Sequence, residues 1–286
     1  MDFFEKDLFG HEVLPIPPKN GSLREVFLEP PFSVLNSRSY SWRLRKKKWN
    51  NIGLSSLKGR QNNLTYDGLE KYGDQTSIFD PVLCELMYHW FCRKKGNILD
   101  PFAGGSVRGI VASYLGFNYT GLELREEQVL ENRKQANTME LENPPVWVIG
   151  DSNKTLENIS KESFDFVFSC PPYAFLEKYS DLPDDLSNMD YSSFLEIYEQ
   201  IIFKSCNKLK NGGFACFVVG EIRDKKGNYV GFVPDTIKAF QKANVEFYNE
   251  AILLNAIGSA PIRAAGYMKN KKLVKLHQNI LIFKKY

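Results

Sequence analysis

Two short segments carry residue types that could do chemistry. The first, Asn97-Ile98-Leu99-Asp100-Pro101-Phe102-Ala103-Gly104-Gly105-Ser106, is apolar, ends in a carboxylate and turns on two adjacent glycines. The second, Phe164-Asp165-Phe166-Val167-Phe168-Ser169-Cys170-Pro171-Pro172-Tyr173, ends in two prolines and a tyrosine. Each reads as a buried strand whose carboxyl end opens into a loop. Ligands of open α/β sheets sit beyond those ends, so two such loops from one sheet would build one site. Asp100 can accept a charge-assisted hydrogen bond from a ligand ammonium. Gly104 and Gly105 let the backbone come close to a ligand, with Pro101, Phe102 and Ala103 completing the loop. Pro171 and Pro172 fix φ and leave carbonyls free to accept. Tyr173 offers a ring on which an extruded nucleobase could stack.

Two more carboxylates follow at expected strand ends. Glu123 closes Tyr119-Thr120-Gly121-Leu122-Glu123 and is followed by Leu124. It could grip both hydroxyls of a ribose. Asp151 closes Val146-Trp147-Val148-Ile149-Gly150-Asp151 and is followed by Ser152. From there a side chain can reach an adenine amine. A dinucleotide fits less well, because it wants Gly-x-Gly-x-x-Gly around a pyrophosphate, and here an acid precedes adjacent glycines. The plainer alternatives are a tight turn at Gly104-Gly105 and an ordinary turn at Pro171-Pro172.

The elements needed to position these residues are legible around them. Asp80-Pro81 followed by Val82, Leu83, Leu86, Met87 and Trp90 predicts a capped helix. Helices are expected over 106–115, 126–140, 191–209 and 234–243. Strands are expected over 98–100, 119–124, 146–151, 164–168, 214–219, 245–254 and 279–283. Lys210-Asn211-Gly212-Gly213 suits a helix stop. Strand and helix alternate, which favours a mostly parallel sheet with helices on both faces. Residues 1–35 are proline-rich and read as an extended arm. Residues 38–60 interleave Arg38, Arg43, Arg45, Lys46, Lys47, Lys48, Lys58 and Arg60 with Tyr40, Trp42 and Trp49. Such a run can neutralise phosphates and stack on bases; its bland alternative is a solvated basic helix face.

Composition bounds the rest. The 286 residues can bury a large core, and 43% hydrophobic with 25% charged residues is ordinary for a soluble globular chain. The net charge of +3 hints only weakly at an anionic partner. Five cysteines form no C-x-x-C pair and three histidines are scattered, so neither a metal site nor a disulfide scaffold is expected. The opening Met1-Asp2-Phe3-Phe4-Glu5-Lys6-Asp7 is acidic, and no 18-residue apolar run follows, so neither secretion nor a membrane partner is expected.

The two loops together resemble those of the amino-methyltransferases of DNA, whose catalytic loop reads Asp/Asn/Ser-Pro-Pro-Tyr/Phe/Trp. Thr76-Ser77-Ile78-Phe79-Asp80-Pro81 sits where that family closes over the methionine end of its cofactor. The order of closing element, cofactor loop and catalytic loop is the family's gamma-type arrangement. Softer likeness to phage and prophage-encoded DNA methylases runs through Pro30-Pro31-Phe32-Ser33-Val34-Leu35, Gly104-Gly105-Ser106-Val107-Arg108-Gly109, Leu124-Arg125-Glu126-Glu127-Gln128 and His277-Gln278-Asn279. The resemblance implies a Rossmann-like class I methyltransferase with a mostly parallel seven-stranded sheet. It implies S-adenosyl-L-methionine as cofactor, held by Phe79, Asp80, Asp100 and its loop, Glu123, Leu124, Asp151 and Ser152. It also implies methyl transfer to the N6 of adenine or N4 of cytosine in double-stranded DNA, with the base flipped out. The protein would then work in the cytoplasm of a bacterial or phage-infected cell.

The first catalytic-loop position is Cys170, where the family has Asp, Asn or Ser. A thiol is a weak acceptor and would orient an amine poorly unless Ser169 or a backbone carbonyl takes over. Cys170 could instead be a nucleophile in carbon-5 cytosine methylation, with Glu221 at the end of the next strand holding the ring nitrogen. A small buried cysteine in an inactive DNA-binding homologue, and an RNA substrate, remain as further readings. The expected division is an N-terminal arm over 1–72 with the basic, aromatic DNA-contacting segment, and a catalytic domain over 73–286. The latter includes a basic segment over 257–275 with Arg263, Lys269, Lys271, Lys272 and Lys275. The acidic loop 174–190 would pack near the flipped base or touch it through Tyr179.

Overall fold

The structure is a computed structural model that describes residues 22–54, 79–174, 180, 182, 184–258 and 260–286, and the backbone of 5–6 and 12–13. The strands are β1 (Val34–Asn36), β2 (Asn97–Asp100), β3 (Asn118–Glu123), β4 (Val146–Ile149), β5 (Phe164–Ser169), β6 (Leu209–Val219), β7 (Glu246–Leu254) and β8 (His277–Lys284). They form one sheet in the order β1-β7-β8-β6-β5-β2-β3-β4. All neighbours are parallel except β8, which runs antiparallel to both β6 and β7. The chain winds outward from β2 in one direction and from β5 in the other. The β2–β5 boundary is therefore a topological switch point, the place where such sheets open a crevice.

Alternation along the strands explains the two helical layers. Ile98, Phe166, Phe168, Cys216, Val218, Ile280 and Ile282 face one side, while Leu99, Val167, Ala215, Phe217, Leu281 and Phe283 face the other, and all are buried. Successive residues of a strand point to opposite faces, so apolar runs of this kind need cover on both. The first face is covered by α2 (Tyr40–Asn51), α3 (Pro81–Phe91), α4 (Val107–Tyr114) and α5 (Glu126–Asn137). The second is covered by α7 (Tyr191–Lys208) and α8 (Phe232–Lys242), after the single turn α6 (Ser152–Thr155). Asp80 caps α3 as expected, accepting from the Val82 N–H, with Pro81 in the first turn.

Two sequence expectations are corrected and one element is added. The N-terminal arm is not wholly extended: it contains α1 (Leu23–Phe27), and its strand β1 pairs with β7, so the sheet has eight strands. The glycines at 212–213 do not stop α7. The helix ends at Lys208 and the chain enters β6 directly at Leu209, while Gly212, with φ of +78°, sits in a bulge opposite β5. A positive φ there costs glycine nothing. Finally, the tail over 257–275 contains a further helix, α9 (Ala260–Lys269). The division expected at 72/73, together with Thr76, Lys58, Arg60 and Tyr179, lies outside the described residues.

At the amino end of β5, far from the cavity described below, Asp165 is a local lock. Its Oδ1 lies 2.7 Å from Arg93 Nε and 2.9 Å from Lys210 Nζ, and its Oδ2 accepts from the Asn97 N–H at 2.8 Å. Burial alone would raise its pKa; the Asn97 hydrogen bond and the two cations outweigh this and hold it below its ordinary 3.8. A depressed carboxylate adds stability above its unfolded pKa and loses it as pH falls through the folded value. Asp165→Asn should cost about 1–3 kcal/mol at pH 7 in denaturant titrations. The gap to wild type should narrow as the pH is taken below 3.8.

Candidate active site

The end of β2 is organised by a carboxylate that turns into the protein. Asp100 is fully buried. Its Oδ2 accepts from Arg108 Nε at 2.5 Å and from the Tyr119 hydroxyl at 2.8 Å. Its Oδ1 accepts from the Ser169 hydroxyl at 2.5 Å and from the Phe102 N–H at 3.1 Å. The expected contact to a ligand ammonium is therefore corrected: Asp100 spends its oxygens inside the protein. Arg108, in the first turn of α4, also donates to the carbonyls of Phe102 (2.6 Å) and Ala103 (2.9 Å), and its guanidinium lies 4.6 Å from the centre of the Phe79 ring. Burial would lower the Arg108 pKa; Asp100 outweighs burial and carries it upward. Ala103 is likewise buried and structural, its N–H bonded to the Leu122 carbonyl at 2.9 Å. The loop can dock this closely because Gly121 faces it: a Cβ at 121 would lie 2.8 Å from the Ala103 Cβ.

The rest of the glycine loop does face a cavity. Gly104 has φ of +52°, and a Cβ added there would meet nothing within 4 Å. Its N–H donates to Glu123 Oε2 at 2.8 Å, while Glu123 Oε1 accepts from the Arg125 N–H at 3.0 Å. Burial pushes the Glu123 carboxyl up, against hydrogen bonds and charge from Arg125 and the Gly104 hydrogen bond, which pull it down. Asp151 caps α6 by accepting from the Asn153 N–H, and the Ser152 hydroxyl donates to the Pro101 carbonyl at 2.5 Å.

The second loop leaves β5 beside the first. Because β5 and β2 are paired neighbours, Ser169 reaches Asp100 and delivers Cys170, Pro171, Pro172 and Tyr173 to the same opening. The Tyr173 ring packs edge-on against Phe232, and its hydroxyl accepts from Gln278 Nε2 at 2.9 Å. The cavity measures about 990 Å³. Phe79, Asp80, Pro101, Phe102, Gly104 and Gly105 line one part of it. Glu123, Leu124, Asp151 and Ser152 line the part under β3 and β4, and Cys170 to Tyr173 complete it.

Glu221 does not line it. Its Oε1 accepts from the N–H groups of Gly231 (3.1 Å) and Phe232 (2.7 Å), capping α8, where the sequence expectation pairs Glu221 with Cys170. The basic segment also differs from expectation. Trp42 and Trp49 are buried, and their ring N–H groups donate to Asp80 (3.2 Å) and Glu85 (2.9 Å). Neither can stack on a base; Tyr40 is exposed. Arg38, Arg43 and Lys46 do reach the cavity wall. Sequence reasoning missed Arg108, Ser37, Asn255 and Gln278 there. For Arg108 a signal existed, a charged residue within the first turn of an otherwise apolar helix.

No family model matches the chain, and no curated protein matches it. Solved structures do. A Pyrococcus horikoshii protein assigned as an RNA methyltransferase superposes with a TM-score of 0.52 at 16% identity, over 85% of this chain and 98% of that one. The fold is that of a Rossmann-like methyltransferase. A SAM-dependent methyltransferase of Methanosarcina mazei gives 0.48 at 14% identity, over 70% of this chain and 96% of that one. A Thermus thermophilus protein assigned as a DNA modification methylase, solved with S-adenosyl-L-methionine, gives 0.35 at 18% identity. That last match covers 47% of this chain and 50% of the other, so the chain spans about half the length of the Thermus protein.

In this methyltransferase fold Asp100 is a structural anchor, and its removal should be felt in stability. Asp100→Asn leaves a buried guanidinium short of its counter-charge, which should cost about 3–5 kcal/mol in unfolding experiments. A variant that unfolds with the wild-type midpoint would mean that the four donors do not depend on the charge.

Proposed function

We propose that the chain is an S-adenosyl-L-methionine-dependent methyltransferase that modifies the exocyclic amine of adenine or cytosine in DNA. The observation that carries this reading is the shared cavity: the glycine loop after β2 and the Pro171-Pro172-Tyr173 elbow after β5 open into one space of about 990 Å³. That volume is at the upper end of the range for small-molecule pockets, roughly 300–1,000 Å³. The residues fit the cofactor. Glu123 offers a carboxylate at the end of β3 for ribose hydroxyls, and Gly104 leaves open the space a Cβ would fill.

When bound, the cofactor supplies an electrophilic methyl group on a sulfonium. The protein's own part is to hold the acceptor. The Pro171 carbonyl can accept one hydrogen of the amine, which turns the nitrogen lone pair toward the methyl group. The Tyr173 ring and the Pro172 ring bound the space for the base. DNA as acceptor is supported by the resemblance of this loop to those of amino-methyltransferases of DNA, and by Arg38 and Arg43 at the cavity wall. A carbon-5 mechanism would need an acid at the ring nitrogen, whereas the Oε1 of Glu221 accepts from the Gly231 and Phe232 N–H groups at the start of α8.

Nucleoside mass spectrometry of DNA from cells expressing the protein tests the reading. N6-methyladenine or N4-methylcytosine is expected. Only 5-methylcytosine, or methylated nucleosides confined to the RNA fraction, would overturn it. Cofactor affinity provides a second check. Gripping two hydroxyls requires the ionised form of Glu123, whose pKa is raised above its ordinary 4.5. Calorimetric titration with S-adenosyl-L-methionine should therefore show affinity falling as pH is lowered, with the fall setting in above pH 4.5. Glu123→Gln should weaken binding about 10- to 100-fold, as expected for hydrogen bonds to a charged group, and should flatten that pH dependence.

A further inference from the structure

The catalytic loop has an unanswered question of chemistry. An exocyclic amine is held by two acceptors, and the side chain at the first loop position is a thiol, a weak one. The neighbouring hydroxyl cannot replace it, since Ser169 is fully buried and donates to Asp100 at 2.5 Å. The acids of the cavity wall are also engaged. Asp80 pairs with Lys46 at 2.9 Å, and Asp184 with Lys154 at 2.9 Å. Asp185 accepts from the hydroxyls of Ser180 and Ser187.

Gln278 is differently placed. It sits in β8 opposite Leu253 of β7, and both line the cavity. One hydrogen of its Nε2 goes to the Tyr173 hydroxyl at 2.9 Å, which ties it to the elbow. A carboxamide has a second hydrogen on that nitrogen and an acceptor oxygen beside it. We infer that Gln278 reads the Watson–Crick edge of the extruded base, supplying the side-chain acceptor that Cys170 cannot. The inference rests on the proposed amine methylation. Its Oε1 accepts one hydrogen of the exocyclic amine, and the second Nε2 hydrogen goes to the adjacent ring nitrogen. Adenine (N6–H and N1) and cytosine (N4–H and N3) both present this donor–acceptor pair. Guanine and thymine present the reverse at the same positions, a carbonyl beside a ring N–H. Gln278 therefore selects the two bases that present an exocyclic amine beside a ring-nitrogen acceptor at these positions, as paired contacts from a carboxamide do on other base edges.

The test uses the purified full chain, labelled S-adenosyl-L-methionine and genomic DNA from cells without methylases. Gln278→Ala should lower kcat/KM for DNA at least tenfold, while calorimetry shows cofactor affinity within twofold of wild type. Cys170→Asp restores a strong acceptor in the loop, and in that background Gln278→Ala should cost less than threefold. Wild-type rates for Gln278→Ala would overturn the inference. So would an equal penalty in both backgrounds, which would make Gln278 only a support for Tyr173. A wild-type chain that labels no DNA would overturn the substrate reading and this inference with it.

Discussion

At the end of β2 the Asp100 carboxylate lies out of water, and donors from four parts of the chain converge on it: Ser169, Tyr119, Arg108 and the Phe102 N–H. A buried charge is tolerated only with a counter-charge and hydrogen bonds around it. Those partners belong to β5, β3, α4 and the glycine loop, so satisfying one carboxylate fixes all four relative to each other. The consequence reaches both functional loops. Arg108 holds the Phe102 and Ala103 carbonyls and so shapes the first loop. Ser169 is the residue before Cys170, so its bond to Asp100 sets where the second loop begins. The cavity owes its shape to this interaction, although Asp100 does not face it.

The cavity carries charge of both signs, with Arg125 paired to Glu123 and Lys46 paired to Asp80 on its wall. Under β3 and β4 its wall carries Glu123 and Asp151, and Asp184 lies nearby. On the side reached by β1 and α2 the wall carries Arg38 and Arg43. Arg38 is steered by Asn36, whose Oδ1 accepts from its N–H at 3.0 Å and from its Nε at 3.3 Å.

Strand ends and the loops that follow them were legible because they depend on local sequence. Apolar runs closed by Asp100, Glu123 and Ser169 stand where the sequence places them, and Asp80-Pro81 starts its helix as read. What a carboxylate at a strand end binds is not a local property. Asp100 turns inward because Arg108, on the helix that follows, is buried with it, and spacing alone does not reveal a rotamer. Trp42 and Trp49 stand seven residues apart, two turns of one helix face, and this periodicity outranks the basic residues between them. β1 has three residues, and the likeness at His277-Gln278-Asn279 does not say what that segment of β8 faces, so the contributions of Ser37 and Gln278 emerge only when the far edge of the sheet folds over the site.

That far edge is bound into the same core as the rest. α2 is joined to α3 by two buried tryptophans and by ion pairs of Lys46 with Asp80 and Arg45 with Glu85, each at 2.9 Å. Hydrogen bonds to charged groups contribute about 1.5–3 kcal/mol each when well placed, and both tryptophan N–H groups make one. Asp80 thus serves three partners at once: it caps α3, holds Trp42 and pairs with Lys46. A residue that starts a helix covering the sheet is also the seat of α2. The basic wall of the cavity cannot then move as a separate module without breaking the Trp42 and Lys46 bonds to the carboxylate that caps α3. Because α3 carries the Tyr88 hydroxyl that donates to the Arg108 carbonyl at 2.8 Å, a disturbance at Asp80 has a packed route of one helix to the arginine that holds Asp100.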